Sequence, residues 1–232
     1  MRALILSDIH GSADAARAAL AYFEKLHCDK IFLLGDTLYH GPRNPLPAGH
    51  GPMGVVEALE PYKDKIVAVR GNCDAEVDLM MLDFPIKDEF AVVEDTVKNA
   101  DGTTRTIRLF LSHGHIFMPE CFPKNALDCI ERNSECTKTA NGVANANGTS
   151  NVEENRDIDA YLFGHTHIFQ LEQNFKGVLM VNPGSTSLPK GGNPATFAIY
   201  DSTGEGRNSS KIRAKFSIHR LDDGKELASD LI

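Results

Sequence analysis

Tyr161-Leu162-Phe163-Gly164-His165-Thr166-His167 carries a short apolar run into two imidazoles one residue apart. An apolar run closing on a glycine reads as a buried strand and its exit turn. In such a turn the pair can place one ring on each of two neighbouring metal ions, and imidazole is the commonest side-chain metal ligand. Two rings do not complete a site. The rest must come from other strand exits.

The same arrangement recurs towards the N-terminus. A strand over residues 105–112 ends in His113-Gly114-His115, and one over residues 66–69 ends in Arg70-Gly71-Asn72-Cys73-Asp74. Residues 30–34 end in Gly35-Asp36, and residues 1–7 in Asp8-Ile9-His10-Gly11. Between these lie two helical readings. Ser12 caps the first, whose positions Ala16, Ala19, Leu20, Phe23 and His27 keep helical spacing. The second covers residues 53–59 and is stopped by Pro61, after a Pro/Gly-rich loop over residues 39–52 that excludes helix and strand. Strand, helix, strand, helix, strand predicts an α/β sheet with a site along its carboxyl edge.

The second half is richer in strand. Residues 89–97 and 105–112 flank the hairpin turn Asn99-Ala100-Asp101-Gly102. A helix is read over residues 124–132, and a mobile excursion over residues 135–156, where apolar residues almost vanish. Strands are read over residues 169–173, 178–181, 195–201 and 211–221, with Asn182-Pro183-Gly184-Ser185 after the second of these. No internal repeat or domain linker interrupts the chain.

With 232 residues, the chain suits one large domain that buries a core without disulfides. Cys28, Cys73, Cys121, Cys129 and Cys136 are odd in number and contain no C-x-x-C pair, which argues against a disulfide framework and a structural zinc site. No apolar run approaches the roughly 18 residues of a membrane span. The N-terminal apolar run is too short for a signal peptide, so a cytoplasmic protein without membrane contact is expected. A net charge of −8 argues against a stable nucleic-acid complex. It leaves room for a phosphate substrate, because bound cations would reverse the local sign.

Seven candidate ligands therefore sit at five strand exits: Asp8, His10, Asp36, Asn72, His113, His165 and His167. Carboxylate, amide and imidazole together suit Mn²⁺, Fe²⁺ or Zn²⁺ better than a thiolate-seeking ion. Seven ligands divide unevenly between two ions, and Asp36, central in the order, is the expected shared carboxylate. Two ions about 3.5–4 Å apart can deprotonate a bridging water and clamp a phosphoryl group for in-line attack.

Asp-x-His, Gly-Asp, Gly-Asn-x-Asp, His-Gly-His and Gly-His-Thr-His, in that order over residues 8–167, resemble the calcineurin-like metallophosphoesterases. The match is closer to their small prokaryotic YfcE-like phosphodiesterase branch, supported by His40-Gly41-Pro42-Arg43-Asn44 and residues 189–194. Each motif alone is weak, and the series is specific. The resemblance implies a four-layer αββα sandwich with two mixed sheets, forming one domain over residues 1–232. It implies that Asp8, His10, Asp36 and His167 hold one ion, and Asp36, Asn72, His113 and His165 the other. Mn²⁺ is the implied activating metal, with Fe²⁺, Zn²⁺ and Ni²⁺ as alternatives. It also implies self-association as a dimer or tetramer.

One position departs from many relatives. Where they carry a histidine after Gly-Asn, which helps the leaving oxygen depart, this chain has Cys73. A neutral thiol, with an ordinary pKa near 8.5, is a poor substitute for an imidazolium acid. Cysteine-bearing relatives favour diesters with good leaving groups, and the same is expected here. His115 is the nearby imidazole available to assist. Arg43 and Asn44 follow the shared aspartate in the chain. A guanidinium there suits phosphate oxygens, or it pairs locally.

Other features carry plainer readings. His27, His50 and His219 lie outside any motif, and the remaining cysteines read as buried or loop residues. Asn182–Ser185 either turns the chain or supports the histidine pair from behind. The leading function is phosphodiester hydrolysis. The alternatives are a phosphomonoesterase acting on a nucleotide or phosphoprotein, and a protein-binding scaffold of the same fold, like a retromer subunit. Such scaffolds tend to lose ligands, and this chain keeps all seven.

Overall fold

The computed structural model describes residues 1–86, 88–98, 102–117, 119, 122, 124, 126, 157–174, 176–203 and 214–232. Strand β1 (Arg2–Leu6), helix α1 (Ala13–Lys25), β2 (Lys30–Leu33), α2 (Pro52–Leu59) and β3 (Ile66–Ala68) form the first half. Helix α3 (Glu76–Met81) follows, then β4 (Phe90–Lys98), β5 (Thr104–Ser112), β6 (Ala160–Leu162), β7 (Gln170–Gln173) and β8 (Leu179–Asn182). The chain closes with β9 (Thr196–Asp201), β10 (Lys215–Arg220) and β11 (Glu226–Leu231).

These strands make two mixed sheets. The first runs β11-β10-β9-β1-β2-β3 and the second β4-β5-β6-β8-β7. β1, β2 and β3 are parallel, and so are β5, β6 and β8, while the remaining neighbours are antiparallel.

The continuous apolar runs have a simple cause: these strands are buried on both faces. Side chains alternate between two cores. Ala3 and Ile5 of β1, Phe32 of β2, and Ala198 and Tyr200 of β9 face the second sheet, where they meet Leu109, Leu111, Leu162 and Val181. Leu4, Leu6, Ile31, Leu33, Phe197 and Ile199 face the other way, against Ala16, Leu20 and Phe23 of α1 and Val55 of α2. The outer face of the second sheet carries Phe110, Tyr161, Phe163 and Met180, covered by Phe117, Phe122 and Ala126. Each fully buried Leu, Ile or Phe contributes about 1.5–3 kcal/mol. The result is the expected sandwich, with the described part of its fourth layer limited to those last three residues.

Some boundaries differ from the sequence expectation. α1 stops at Lys25, and His27 takes a left-handed φ of 51°, so it belongs to the turn and not to the helix stripe. α2 ends at Leu59, before Pro61 as expected, and a 3₁₀ turn (Glu60–Lys65) follows it, with Pro61 near its start where a missing N–H costs nothing. α3 and β11 are additional elements. The hairpin forms, pairing Lys98 with Thr104. The helix expected over residues 124–132 and the excursion over residues 135–156 fall almost wholly outside the described residues. No helix among the described residues is long and apolar enough to cross a membrane.

Candidate metal centre

All five exits that carry candidate ligands lie at carboxyl ends of parallel strands, three from the first sheet and two from the second. The exits stay paired beyond the strands. The amides of Asp8 and His10 donate to the carbonyls of Gly35 and Asp36, and Gly164 N–H donates to the His113 carbonyl.

The backbone there is unusual. Among the described residues, six that are not glycine have positive φ, and five of them are proposed ligands: Asp8 (53°), His10 (50°), Asp36 (54°), His165 (68°) and His167 (61°). A left-handed L-residue costs on the order of 1–3 kcal/mol and persists where surrounding contacts over-determine it. Here those contacts are visible. Ser185 Oγ donates to the Asp8 carbonyl at 2.7 Å and Ser187 Oγ to the Ile9 carbonyl at 2.8 Å. Asn182 Nδ2 donates to the Gly164 carbonyl at 2.8 Å and to Thr166 Oγ1 at 3.0 Å. The end of β8 and the segment after it thus support these turns mainly through side chains.

Three imidazoles are aimed by one device. His10, His113 and His167 each place Nδ1 on a backbone carbonyl, of Tyr39 (2.8 Å), Leu34 (2.7 Å) and Leu188 (2.6 Å). With Nδ1–H donated outwards, the Nε2 atom of each of these three rings faces inwards. His10 Nε2 lies 3.2 Å from His167 Nε2, which lies 3.3 Å from Asp8 Oδ1. His113 Nε2 lies 3.4 Å from Asp36 Oδ2 and 3.1 Å from Asn72 Oδ1. Asp36 Oδ2 is also 3.8 Å from His10 Nε2, between the two groups.

Such donors fit divalent cations. Two atoms about 2.1 Å from one ion, at ordinary coordination angles, stand roughly 3.0–3.4 Å apart. Asp8 Oδ1 is fully buried and has no hydrogen-bond partner, a costly state for a carboxylate oxygen unless a cation meets it. The compact groups are Asp8, His10 and His167; Asp8, Asp36 and His113; and His10, Asp36 and Cys73. Asn72 joins through His113. His165 sits at the exposed rim, its ring 5.2 Å from that of His113. His115 stands behind, its ring 5.4 Å from His113. Arg43 is exposed and makes no hydrogen bond or ion pair among the described residues, and Asn44 Nδ2 donates to the His40 carbonyl at 2.9 Å.

A model of the calcineurin-like phosphoesterase superfamily domain matches residues 1–205. The chain belongs to this superfamily. It is 38% identical over 201 residues to Phosphodiesterase YfcE of Escherichia coli, spanning 87% of this chain and 88% of that protein. It is 27% identical over 199 residues to the probable metallophosphoesterase YsnB of Bacillus subtilis, spanning 86% and 83%. The solved structure of the Escherichia coli phosphoesterase superposes over 100% of both chains with a TM-score of 0.73 and 34% identity.

This superfamily member has supports that sequence reasoning passed over. Asp74, quoted there only as part of a motif, is 3% exposed and accepts three backbone N–H groups. Ser7 donates to Asp8 Oδ2 at 2.7 Å, leaving Oδ1 free to face the cluster. Ser7 carries no signal in one sequence beyond preceding Asp8, and Asp74 none beyond closing the Gly-Asn-x-Asp motif.

Electrostatics separate the imidazoles. Burial would lower His113, but its hydrogen bond to Asp36 and the charges of Asp8 and Asp36 raise it to about 9 in the metal-free site. Burial would raise Asp36, yet His113 and the Cys73 amide hold it well below the usual carboxylate range. Burial and the neighbouring imidazoles lower His165, and they push His115 down to about 4. Burial, then the Asp36 charge, pushes the Cys73 thiol up to about 12.

A pH dependence follows for ion uptake. A cation seated on His113 Nε2 must displace the proton held there below about pH 9. Apparent affinity should therefore rise roughly tenfold per pH unit from pH 7 and level off near pH 9. In the metal-free protein the sign is opposite. The raised His113 contributes stability below its unfolded pKa, near 6.5, and loses it as pH rises through about 9. Calorimetric Mn²⁺ titrations in buffers of different ionisation enthalpy would count the released proton. An affinity flat between pH 7 and 8.5 would contradict this arrangement.

Proposed function

We propose that the chain hydrolyses small phosphodiesters at a dinuclear divalent-metal site, with Mn²⁺ as the working ion. The observation that carries this reading is the inward convergence of His10, His113 and His167 Nε2 with Asp36 Oδ2 on the orphaned Asp8 Oδ1. Asp8, His10, Asp36 and His167 would hold one ion, and Asp36, Asn72, His113 and His165 the other. When bound, the ions supply Lewis acidity that neutralises phosphate charge and lowers the pKa of water.

The remaining roles fall to the chain's own side chains. Three Nδ1–H···O=C bonds hold the rings in one tautomer, and burial of Asp8 and His113 keeps bulk water from competing with the charged donors. Arg43, on the loop after Asp36, is proposed to meet phosphate oxygens from outside the cluster, with Asn44 fixing that loop through His40. The full set of donors argues against the scaffold reading.

The groups beside the cluster decide which leaving alcohols can depart. Cys73, protonated up to about pH 12, and His115, neutral above about pH 4, both lack an acidic proton to give near neutrality. Departure then relies on the intrinsic quality of the leaving alcohol. Both assay esters release p-nitrophenolate, so their comparison reads the substrate class alone. With Mn²⁺ present, bis-p-nitrophenyl phosphate should turn over roughly tenfold or more faster than p-nitrophenyl phosphate, in line with the diester preference that the resemblance to cysteine-bearing relatives implies. Faster turnover of the monoester would reverse the substrate class. Absence of metal-dependent hydrolysis of either would remove the enzyme reading.

A further inference from the structure

Asp74 and its neighbour Cys73 hold Asp36 at two points. Asp74 Oδ2 accepts the N–H groups of Asp36 (2.8 Å) and Gly71 (2.7 Å), while Oδ1 accepts that of Thr37 (2.8 Å). Cys73 N–H donates to Asp36 Oδ1 at 2.8 Å. One bond therefore fixes the main chain of Asp36 in its left-handed turn (φ 54°), and the other fixes its carboxylate. With Oδ1 occupied, Oδ2 is the atom left facing His113 and His10.

The approach is close enough to need glycine at the adjoining position. A Cβ on Gly71 would stand 2.2 Å from Asp36 Oδ1 and 2.5 Å from Asp36 N. Arg70 Nε donates to the Asp74 carbonyl at 3.1 Å, and Asp78 Oδ2 accepts the Ala75 amide at 3.1 Å, so residue 74 is pinned on both sides. A carboxylate this buried, spending both oxygens on amides of the neighbouring exit, is built to join the exits of β2 and β3.

We propose that Asp74 is a positioning residue: it sets the orientation of the Asp36 carboxylate and thereby the affinity for the ion or ions that Asp36 ligates. Asparagine at position 74 can keep its oxygen on the Asp36 and Gly71 amides, but its NH₂ then faces the Thr37 N–H, donor against donor. The Asp36 turn is no longer held from both oxygens, and Oδ2 drifts from the line between His10 and His113. Loss of such an outer support typically weakens metal binding 10–100-fold. The proposal rests on Asp36 being a ligand, but not on the number of ions.

The test is calorimetric and EPR titration of Mn²⁺ into metal-free full-length wild type, Asp74→Asn, Asp36→Asn and the double variant. Asp74→Asn is expected to bind at least one ion 10–100-fold more weakly, with a modest fall in metal-free melting temperature for the unpaired Thr37 N–H but a cooperative transition and near-UV circular dichroism close to wild type. Adding Asp74→Asn to Asp36→Asn should weaken binding no further, because the support acts through that carboxylate. Unchanged affinity in a folded Asp74→Asn protein, or additive losses in the double variant, would overturn the proposal. Amide exchange in the wild type covers the case in which Asp74→Asn does not fold. The Asp36, Thr37 and Gly71 amides should be protected in the metal-free protein, and exchange at free-loop rates would equally defeat it. A wild type that takes up a single ion would remove the dinuclear reading and leave the Asp74 comparison intact.

Discussion

Asp36→Asn should lower kcat/KM for a diester by about 10³-fold or more. Its Oδ2 is the oxygen that lies near both His10 Nε2 (3.8 Å) and His113 Nε2 (3.4 Å). Asparagine can keep the Cys73 amide bond through its own oxygen, which turns an NH₂ towards the cluster. A donor then stands where both half-sites of the proposed centre would need an acceptor, and one negative charge is lost between the two cations it would hold. The Asp36 amide still reaches Asp74, so the turn itself should form. Steady-state kinetics with metal analysis of the same preparation would show lost turnover together with lost ion content. A variant retaining a tenth of wild-type activity would mean that Asp36 does not bridge.

Gly164→Ala should damage both stability and metal binding from outside the donor set. A Cβ there would lie 1.8 Å from Ser7 Oγ and 2.8 Å from Asp8 Oδ2. Such separations are overlaps, and Ser7 has no room to retreat, being 1% exposed at the end of β1. Relief requires the β1 and β6 exits to part, which breaks the Ser7–Asp8 bond and moves a ligand. Overpacking of this kind costs about 1–3 kcal/mol. For a domain of this size, that is a fall in Tm of roughly 2–12 °C. Ion affinity should drop 10–100-fold alongside. Calorimetric melting with and without Mn²⁺ reads both effects, and an unchanged Tm would show that the two exits have slack.

Most of the sandwich was legible because strands buried on both faces must be apolar almost throughout, and they end abruptly where polar ligands begin. The ligands stood out for the same reason: Asp8, His10, Asp36 and Asn72 interrupt a pattern instead of continuing it. Elements without that contrast stayed hidden. β11 is an edge strand whose residues are mostly exposed, so no alternation marks it. α3 is six residues long, too short for a helical period to register, and gains its start from two reciprocal Asp78–Ala75 bonds. Asp74 was read as the tail of a motif, because its task is three hydrogen bonds to residues that only folding brings near. His27 was misplaced through spacing alone, since nothing local announces a left-handed residue.

The donors are divided between the halves of the sandwich: Asp8, His10, Asp36 and Asn72 on one sheet's edge, His113, His165 and His167 on the other's. A chain with only one sheet assembled would offer only part of that donor set. In the proposed centre each ion would take donors from both sheets and so act as a rivet between them, and its occupancy would report that both halves have docked in register.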